Sequence, residues 1–413
     1  MRIGITIGIQ KKNESIWING IKMNAIFLAK ALKLTGHKVT IIDTSNKIGV
    51  PKQEDLDFDI KEFPTKRLND EHPNLDLLIM LGTSLPQEWI ENWKAFDPRR
   101  RVIKYQCGNN YVIDMERSIF ASEEQRKDDK HICEYQRGVL DAIWYVPQQG
   151  HQNRSYYAAL MDLPIEKVIP VPFVLDPMFL DRDIDSWEKR VNSGEVKIEE
   201  TGIPVYVPSR DKDNLRYFIM EPNNNVVKFC SIPILIIELL KRTGQKIGMT
   251  HVVSGNRLIQ NKYFQSWLKK LDIAKPGDVN IRTHGRLPVI PALAKFADVV
   301  VSHQWHNPLN YAYLDTLYLQ YPLIHNAEMI RDAGYYYPDF NIQAGSKELK
   351  YAIENHDQNL DRYNENTEAV LQRYTVYNEG MIDIYTKLIN SIKTNTIDSS
   401  LSYEYDWKTN LYK

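Results

Sequence analysis

The sequence predicts an α/β protein made of two doubly wound parallel-sheet domains, and three observations carry that reading. Short apolar runs rich in β-branched residues alternate with longer segments whose apolar residues recur at helical spacing. That alternation is the pattern of parallel strands joined by right-handed helical crossovers. It breaks at a polar, charged stretch over 181–215 and then restarts. The chain, at 413 residues, also exceeds the roughly 250–300 residues that one core usually holds.

In the first domain, "RIGITIGI" is apolar without a clean alternation, as a strand buried on both faces should be. After the polar loop "QKKNESIWING", the segment "IKMNAIFLAKALKLTGHK" has helical spacing and Gly36 as its stop. "VTIID", "LDLLIML", "RVIKYQC", "AIWYVP" and "KVIPVPF" read as further strands, which places this domain at 1–180. Residues 181–215 read as a linker region with room for a small hairpin. The second domain, 216–360, takes strands from "RYFIMEPN", "GMTHVVSG", "VNIRTHG", "DVVVSH" and "YPLIHN". Its helices come from "VVKFCSIPILIIELLKRTG", "RLIQNKYFQSWLKKLDI" and "VIPALAKFA". The tail, 361–413, opens with a long helical pattern expected to cross back and pack on the first domain. No repeat of a size that would signal a solenoid is present in either half.

Composition narrows the function classes. Apolar residues make up 43% and charged residues 25%, which excludes a disordered or fibrous chain. A net charge of −1 lacks the basic surplus that a broad nucleic-acid footprint needs, although a local basic cleft stays open. Cys107, Cys133 and Cys230 are far apart with no C-x-x-C, and read as reduced thiols. The opening "MRIGITIGIQ" lacks the regions of a secretory signal. The longest apolar run, "SIPILIIELL", falls short of the ~20 residues of a membrane span. A cytoplasmic protein is therefore expected.

The stretch "VVVSHQWHNPLNYAYLDTLYLQYPLIHN", 299–326, is the most informative. A buried strand breaks into polar residues, and Asn307-Pro308 fits a helix start, with Asn as N-cap and Pro at the first helical position. The exposed N–H groups of such a turn favour an anion such as a diphosphate. Asp315 follows two turns on, where an acid can accept two hydroxyl hydrogen bonds, as from a ribose diol. The plainer alternative is a capped helix with a solvated Asp315. Other polar loops fall at predicted strand carboxyl ends, where open α/β sheets bind ligands. These are Asn13, Ser15, Trp17 and Asn19 after the first strand, "EPNNN" at 221–225, and Gly285-Arg286 after "VNIRTH".

These residues resemble the GT-B glycosyltransferases, in which two facing Rossmann-like domains hold a nucleotide-sugar mainly through the second. Many members carry two acids eight positions apart around the penultimate helix; Asn307 and Asp315 have that spacing, with Asn in the first place and the shorter Asp in the second. The Asn variant and the "GRLP" segment at Gly285–Pro288 resemble the phage β-glucosyltransferase that modifies 5-hydroxymethylcytosine in DNA. "VIPVPFVLDPMFL" resembles the strand and turn closing the first GT-B domain. The sequence is similar, more closely, to the family DUF2827 of bacteria and phages. The matching pieces are "ESIWINGIKMNAIFLA", "YQCGNNYVIDME", "IWYVPQ", "EPNNNVVKFCSIP", "VSHQWHNPLNYAYLDTLY", "YPLIHN" and "GYYYPDF".

The resemblance implies a GT-B fold with a C-terminal helix crossing back. It implies a transferase moving a sugar from a nucleotide-diphosphate sugar, expected to be a UDP-sugar, to an acceptor hydroxyl. It requires no tightly bound cofactor or metal. The location would be a bacterial cytoplasm or a phage-infected cell. The acceptor would be a surface glycan, which suits the neutral charge, or hydroxymethylated phage DNA, which suits the Asn variant and an AT-rich, Lys-, Ile- and Asn-rich composition. Asp315 is implied on the ribose. The Asn307-Pro308 turn, Asn310, Gly285, Arg286, Asn225 and Lys228 are implied near the phosphates, with His303 or His306 donating to phosphate or sugar. Lys228 has a solvated alternative. Asn13, Trp17, Asn19 and Asn109 are expected on the acceptor side.

A base for the acceptor is expected at Asp114 or Glu116 in "CGNNYVIDME", beyond the strand "RVIKYQC"; alternatively Asp114 caps a segment starting at Met115. His303, His306, His284 and His325 lack the Cys or carboxylates that complete a metal set, so no metal is expected. Arg99–Arg101 precede their strand and are expected at its amino end. Tyr335–Tyr337 either stack on a ligand or pack under the C-terminal helix. A rival reading is an inactive sugar-nucleotide-binding protein, favoured by the missing first acid. A Rossmann oxidoreductase is disfavoured, because "GITIG" does not continue to G-x-G-x-x-G.

Overall fold

The computed structural model describes residues 1–120, 135–208, 211–275, 280–396, 405–406 and 408–412. The chain divides into two compact units, Met1–Asp176 with Arg373–Lys413, and Pro177–Gln372.

The first unit holds a seven-stranded parallel sheet. Its strands are β1 (Arg2–Ile7), β2 (Lys38–Asp43), β3 (Thr65–Arg67), β4 (Leu77–Met80), β5 (Arg101–Gln106), β6 (Ala142–Tyr145) and β7 (Val168–Pro170). Their order is β3-β2-β1-β4-β5-β6-β7, so the winding reverses between β1 and β4. At that reversal the backbones come close: a Cβ on Gly82 would lie 2.9 Å from the Thr6 carbonyl oxygen, which restricts the position to glycine. The helix Gly20–Leu34 starts at Asn19, whose side chain accepts from the Ile21 N–H, and buries Met23, Ile26, Phe27 and Leu28. The helix Glu379–Thr394 packs against it. Tyr385 of that helix donates its hydroxyl to the Pro172 carbonyl at 2.7 Å, and Val376 N–H bonds to Leu175 O at 2.9 Å, so the returning tail is stitched into this unit's core. Residues 397–404 of the tail and Cys133 lie outside the described residues.

The second unit holds a six-stranded parallel sheet of β8 (Tyr217–Ile219), β9 (Thr250–Val252), β10 (Ile281–Thr283), β11 (Val299–Val301), β12 (Leu323–His325) and β13 (Tyr335–Tyr336). The order β10-β9-β8-β11-β12-β13 again reverses between the first and fourth strands. Arg216 and Asp298, just before the two central strands, clamp their amino ends. The Arg216 N–H and guanidinium reach the Asp298 carboxylate at 2.7–3.0 Å. A bidentate, charge-assisted pair of this kind fixes register as well as adding stability.

Two strands escape the apolar pattern. β3 reads Thr-Lys-Arg, and β13 is the first two residues of the tyrosine triplet. Tyr335 stacks on Tyr363 and Tyr337 is fully buried, so both rings are packing elements. The stretch read as a linker carries the helices Met178–Asn192 and Ile198–Thr201 and belongs to the second unit. Tyr206 and Leu215 are its buried anchors, Phe179 and Leu180 bury the start of the first of these helices, and the Tyr321 hydroxyl holds the Ile203 carbonyl at 3.1 Å; residues 209–210 are outside the described set. Arg99 pairs with Asp97 and Arg100 lies over the Trp93 ring, before β5. Among the described residues, no helix is long and apolar enough to cross a membrane.

Gly334 precedes β13 at φ +68, and a Cβ there would lie 2.8 Å from His325 Nε2 and 2.9 Å from Leu323 O. Gly334→Ala is expected to destabilise the protein by about 1–3 kcal/mol. A lower urea midpoint at unchanged slope would register it.

Candidate functional site

In an open parallel sheet the crevice for a ligand opens where winding reverses, beyond the carboxyl ends of the two diverging strands. In the second unit those strands are β8 and β11. The loop after β8 begins at Met220-Glu221 and the loop after β11 begins at Ser302-His303.

Glu221 joins the two loops. It is buried, and its Oε1 accepts from the His303 N–H at 3.1 Å and from the Tyr313 hydroxyl at 3.1 Å. A second staple runs from the Trp305 N–H to the Val227 carbonyl at 2.8 Å. Burial raises the Glu221 carboxyl to about 7, against the pull of the Lys228 charge and of the His303 and Tyr313 hydrogen bonds. Lys228 is half-buried, and burial lowers its ammonium. Glu221 pulls it upward, and the positive charge of Arg286 pushes it further down. One acid and two bases are thus electrostatically coupled, Glu221 and Lys228 on the loop after β8 and Arg286 on the loop after β10.

The remaining donor-side residues fall around this cluster. Asn225 shapes the β8 loop, with its Oδ1 accepting from the Val227 N–H at 3.2 Å and its backbone bridging to Lys228. The Gly285 carbonyl takes the Ser254 N–H at 3.2 Å, which ties the β9 and β10 loops together and leaves Arg286 exposed beyond them. Within the β11 loop, Gln304 and Asn326 exchange hydrogen bonds at 2.8–3.0 Å. Gln304 Oε1 also takes the Asn307 N–H. His306 adopts the left-handed conformation at φ 53 and packs on Trp305.

The helix therefore starts later than Asn307-Pro308 suggests. It spans Tyr311–Tyr318, and Asn310 is its N-cap, accepting from the Tyr313 N–H at 3.2 Å. The turn around His306, held by Gln304, uses up the residues expected to open it. Asp315 is in the second turn, buried, with Oδ1 lacking a partner, and burial raises its carboxyl well above the ordinary range. Asn310 Nδ2 and His303 Nε2 are also buried without partners.

The first unit places the other candidates. Asp114 lies inside the helix Asn110–Phe120, not at its cap. Its Oδ2 accepts from the hydroxyls of Tyr135 at 2.5 Å and Tyr156 at 2.7 Å. Glu116 is half-buried on the same helix. Asn109 precedes it and is buried, its Oδ1 accepting from Val112 N–H and Asn153 Nδ2 and its Nδ2 donating to Gln152. Trp17 is buried with its indole N–H on the Asp57 carbonyl, Asn19 caps its helix, and Asn13 is exposed at φ 53.

Of the histidines, His284 meets His251 at 2.8 Å and His325 is buried at the end of β12, both ring nitrogens bonded to backbone. Among the described residues, no three His, Cys, Asp or Glu side chains are grouped to hold a metal ion. Sequence reasoning passed over Tyr313, and took Glu221 and Tyr337 only as members of the "EPNNN" loop and the tyrosine triplet. The signal was available for Glu221: an acid directly after the apolar run "YFIM" can only sit at a strand's carboxyl end.

Two Rossmann-type sheets with this winding define the GT-B fold. The chain belongs to the family described as "Protein of unknown function (DUF2827)", which it matches over residues 3–389. No curated protein matches it by sequence. Among solved structures it is similar to an alpha-glucosyltransferase in complex with UDP and a 13-mer DNA containing a HMU base. That match has a TM-score of 0.55 and 15% identity, covering 95% of this chain and 99% of that one. It is similar to an alpha-glucosyltransferase with UDP-glucose and abasic DNA, at TM-score 0.52, 15% identity and coverage of 95% and 99%. It also resembles WaaG, a glycosyltransferase involved in lipopolysaccharide biosynthesis, at TM-score 0.53, 11% identity and coverage of 94% and 99%. The "GRLP" segment resembles a β-glucosyltransferase, whereas the DNA-bound neighbours carry the alpha name.

Glu221 gives a pH signature. Its carboxyl titrates near 4.5 when exposed and near 7 in the fold. Between these values the unfolded chain has lost a proton that the folded chain keeps, so stability falls as pH rises through the window and levels off above it. The contribution is up to ~3 kcal/mol. Glu221→Gln, neutral at every pH, is expected to flatten the dependence of the unfolding midpoint between pH 5 and 7.

Proposed function

We propose that the protein is a GT-B glycosyltransferase that moves a sugar from a UDP-sugar to an acceptor hydroxyl. The observation that carries this reading is the winding reversal of the second unit, where the charges of Lys228 and Arg286 act on each other beyond the strand ends and the helix that follows β11 carries a buried, open-ended Asp315. UDP in the structures of similar fold supports the choice of nucleotide. In this reading Asp315 accepts the ribose hydroxyls. That contact provides the partner its carboxyl lacks, since a buried unsatisfied polar atom costs about 1–3 kcal/mol.

Lys228, Arg286 and Asn225 face the diphosphate. As the bond from the anomeric carbon to the diphosphate breaks, the charges of Lys228 and Arg286 and the amide of Asn225 stabilise the departing oxygen. A new bond forms between that carbon and the acceptor oxygen, whose proton passes to a carboxylate or to the leaving phosphate. Asp114 is the candidate base, oriented by Tyr135 and Tyr156. The acceptor is a glycan hydroxyl or the hydroxymethyl group of a modified base in DNA, and the protein works in the cytoplasm. Asn307 in place of the first acid favours a second reading, a sugar-nucleotide-binding protein without turnover.

A thermal-shift titration tests donor binding. UDP or a UDP-sugar at about 100 times its dissociation constant should stabilise the native protein by ~2.7 kcal/mol. The midpoint should rise by several degrees, and Asp315→Ala should abolish the rise. Slow release of free sugar from a UDP-sugar without acceptor is expected of the transferase, and its absence would favour the non-catalytic reading. Retention on hydroxymethylated duplex DNA that falls steeply with salt would identify the DNA acceptor.

A further inference from the structure

The hydrogen bonds of the second unit fix where the protons of its histidines sit. His325 uses both nitrogens, with Nδ1 accepting from the Ala327 N–H at 3.1 Å and Nε2 donating to the Ala333 carbonyl at 2.9 Å. His251 and His284 satisfy each other at 2.8 Å. His303 differs. The Tyr337 hydroxyl has one proton, and it is spent on the Ser302 carbonyl at 2.8 Å, a group that only accepts. The contact between the same hydroxyl and His303 Nδ1 at 3.1 Å must then run from an Nδ1–H to the tyrosine oxygen. His303 is thereby the Nδ1–H tautomer, and its Nε2 carries a lone pair. That atom is buried and has no partner.

The ring cannot easily turn away. It stacks on Tyr337 at an interplanar angle of 15° and takes the edge contact of Phe340 at 4.6 Å, while the backbone N–H of His303 is held by Glu221. Burial lowers the imidazole to about 4, so it stays neutral near pH 7. A neutral ring offering a lone pair repels a phosphate oxygen, which also only accepts, and attracts a hydroxyl. Asn310 Nδ2, an open donor, and Asp315 Oδ1 lie within the next dozen residues. A set of buried donors and acceptors fits a polyhydroxylated ligand, whose hydroxyls serve as both.

We propose that His303 is a specificity-determining residue of the donor site, its Nε2 accepting a hydrogen bond from a hydroxyl of the bound sugar. This rests on the donor site of the proposed function, and it reverses the donating role expected for His303 from sequence. Tyr337 is the positioning residue that sets the tautomer.

Calorimetric titration of UDP, UDP-glucose, UDP-galactose and UDP-N-acetylglucosamine into the full chain tests it, with His303→Gln and His303→Asn as variants. Glutamine can place a carbonyl oxygen near the Nε2 position, whereas asparagine reaches only to Nδ1. The UDP affinity should be equal in all three proteins, which also reports that each is folded. The UDP-sugar bound by the wild type should weaken about tenfold in His303→Asn and be largely restored in His303→Gln. Equal UDP-sugar binding in His303→Asn and wild type would overturn the proposal. So would loss of UDP and UDP-sugar affinity by the same factor, which marks a nucleotide contact. Imidazole nitrogen resonances of the wild type give an independent reading: a proton on Nε2 of His303 would overturn it whatever the variants do. If the wild type binds UDP but none of the sugars, this inference fails and the nucleotide site stands; if it binds nothing, both fail.

Discussion

The second unit depends on a buried carboxylate shared between two loops. Glu221 emerges from β8 and receives hydrogen bonds from the first turn beyond β11 and from Tyr313 in the helix that follows. The ladder between β8 and β11 fixes the strands, and this bridge ties together the two loops that leave them. Burial there pushes the Glu221 carboxyl up to about 7 and the neighbouring Lys228 ammonium down, while the attraction between the two charges works against both shifts. Buried titratable groups perturb one another in structural roles too, so position matters: these two lie on the loop that opens the crevice parallel α/β sheets use for ligands.

The rest of the unit is arranged to keep that crevice rigid. Arg216 and Asp298 lock the amino ends of the two central strands. Gln304 and Asn326 hold the β11 loop through reciprocal amide bonds. Most of the backbone and side-chain polar groups there are consumed by these contacts, which makes the few left open stand out. His303 Nε2, Asn310 Nδ2 and Asp315 Oδ1 are buried, and all lie between β11 and the end of the next helix. The first unit organises its own candidate acid differently, with two phenol hydroxyls on one oxygen of Asp114.

Much of the fold was legible because its signal is local. Every strand from "RIGITI" to "LIH" that is flanked by apolar neighbours could be read from composition and spacing, as could the restart of the pattern in the second half. β3 and β13 could not, since Thr-Lys-Arg and Tyr-Tyr become strands only by pairing with an edge already built. The stretch 181–215 read as a linker because its few apolar residues, such as Tyr206 and Leu215, gain meaning only from the surface that buries them.

The sequence by itself determined the class of sheet, the polar character of the loops at the strand ends, and the prominence of Asp315. Those follow from periodicity and from residue chemistry, which act over a few neighbours. Only the tertiary structure decided that Asn310 and not Asn307 caps the helix, that Glu221 and Tyr313 meet across 92 residues of chain, and that one tyrosine proton sets the tautomer of His303. Hydrogen bonds between distant segments leave no periodic trace, because each depends on a single pair of atoms brought within about 3 Å by the whole fold.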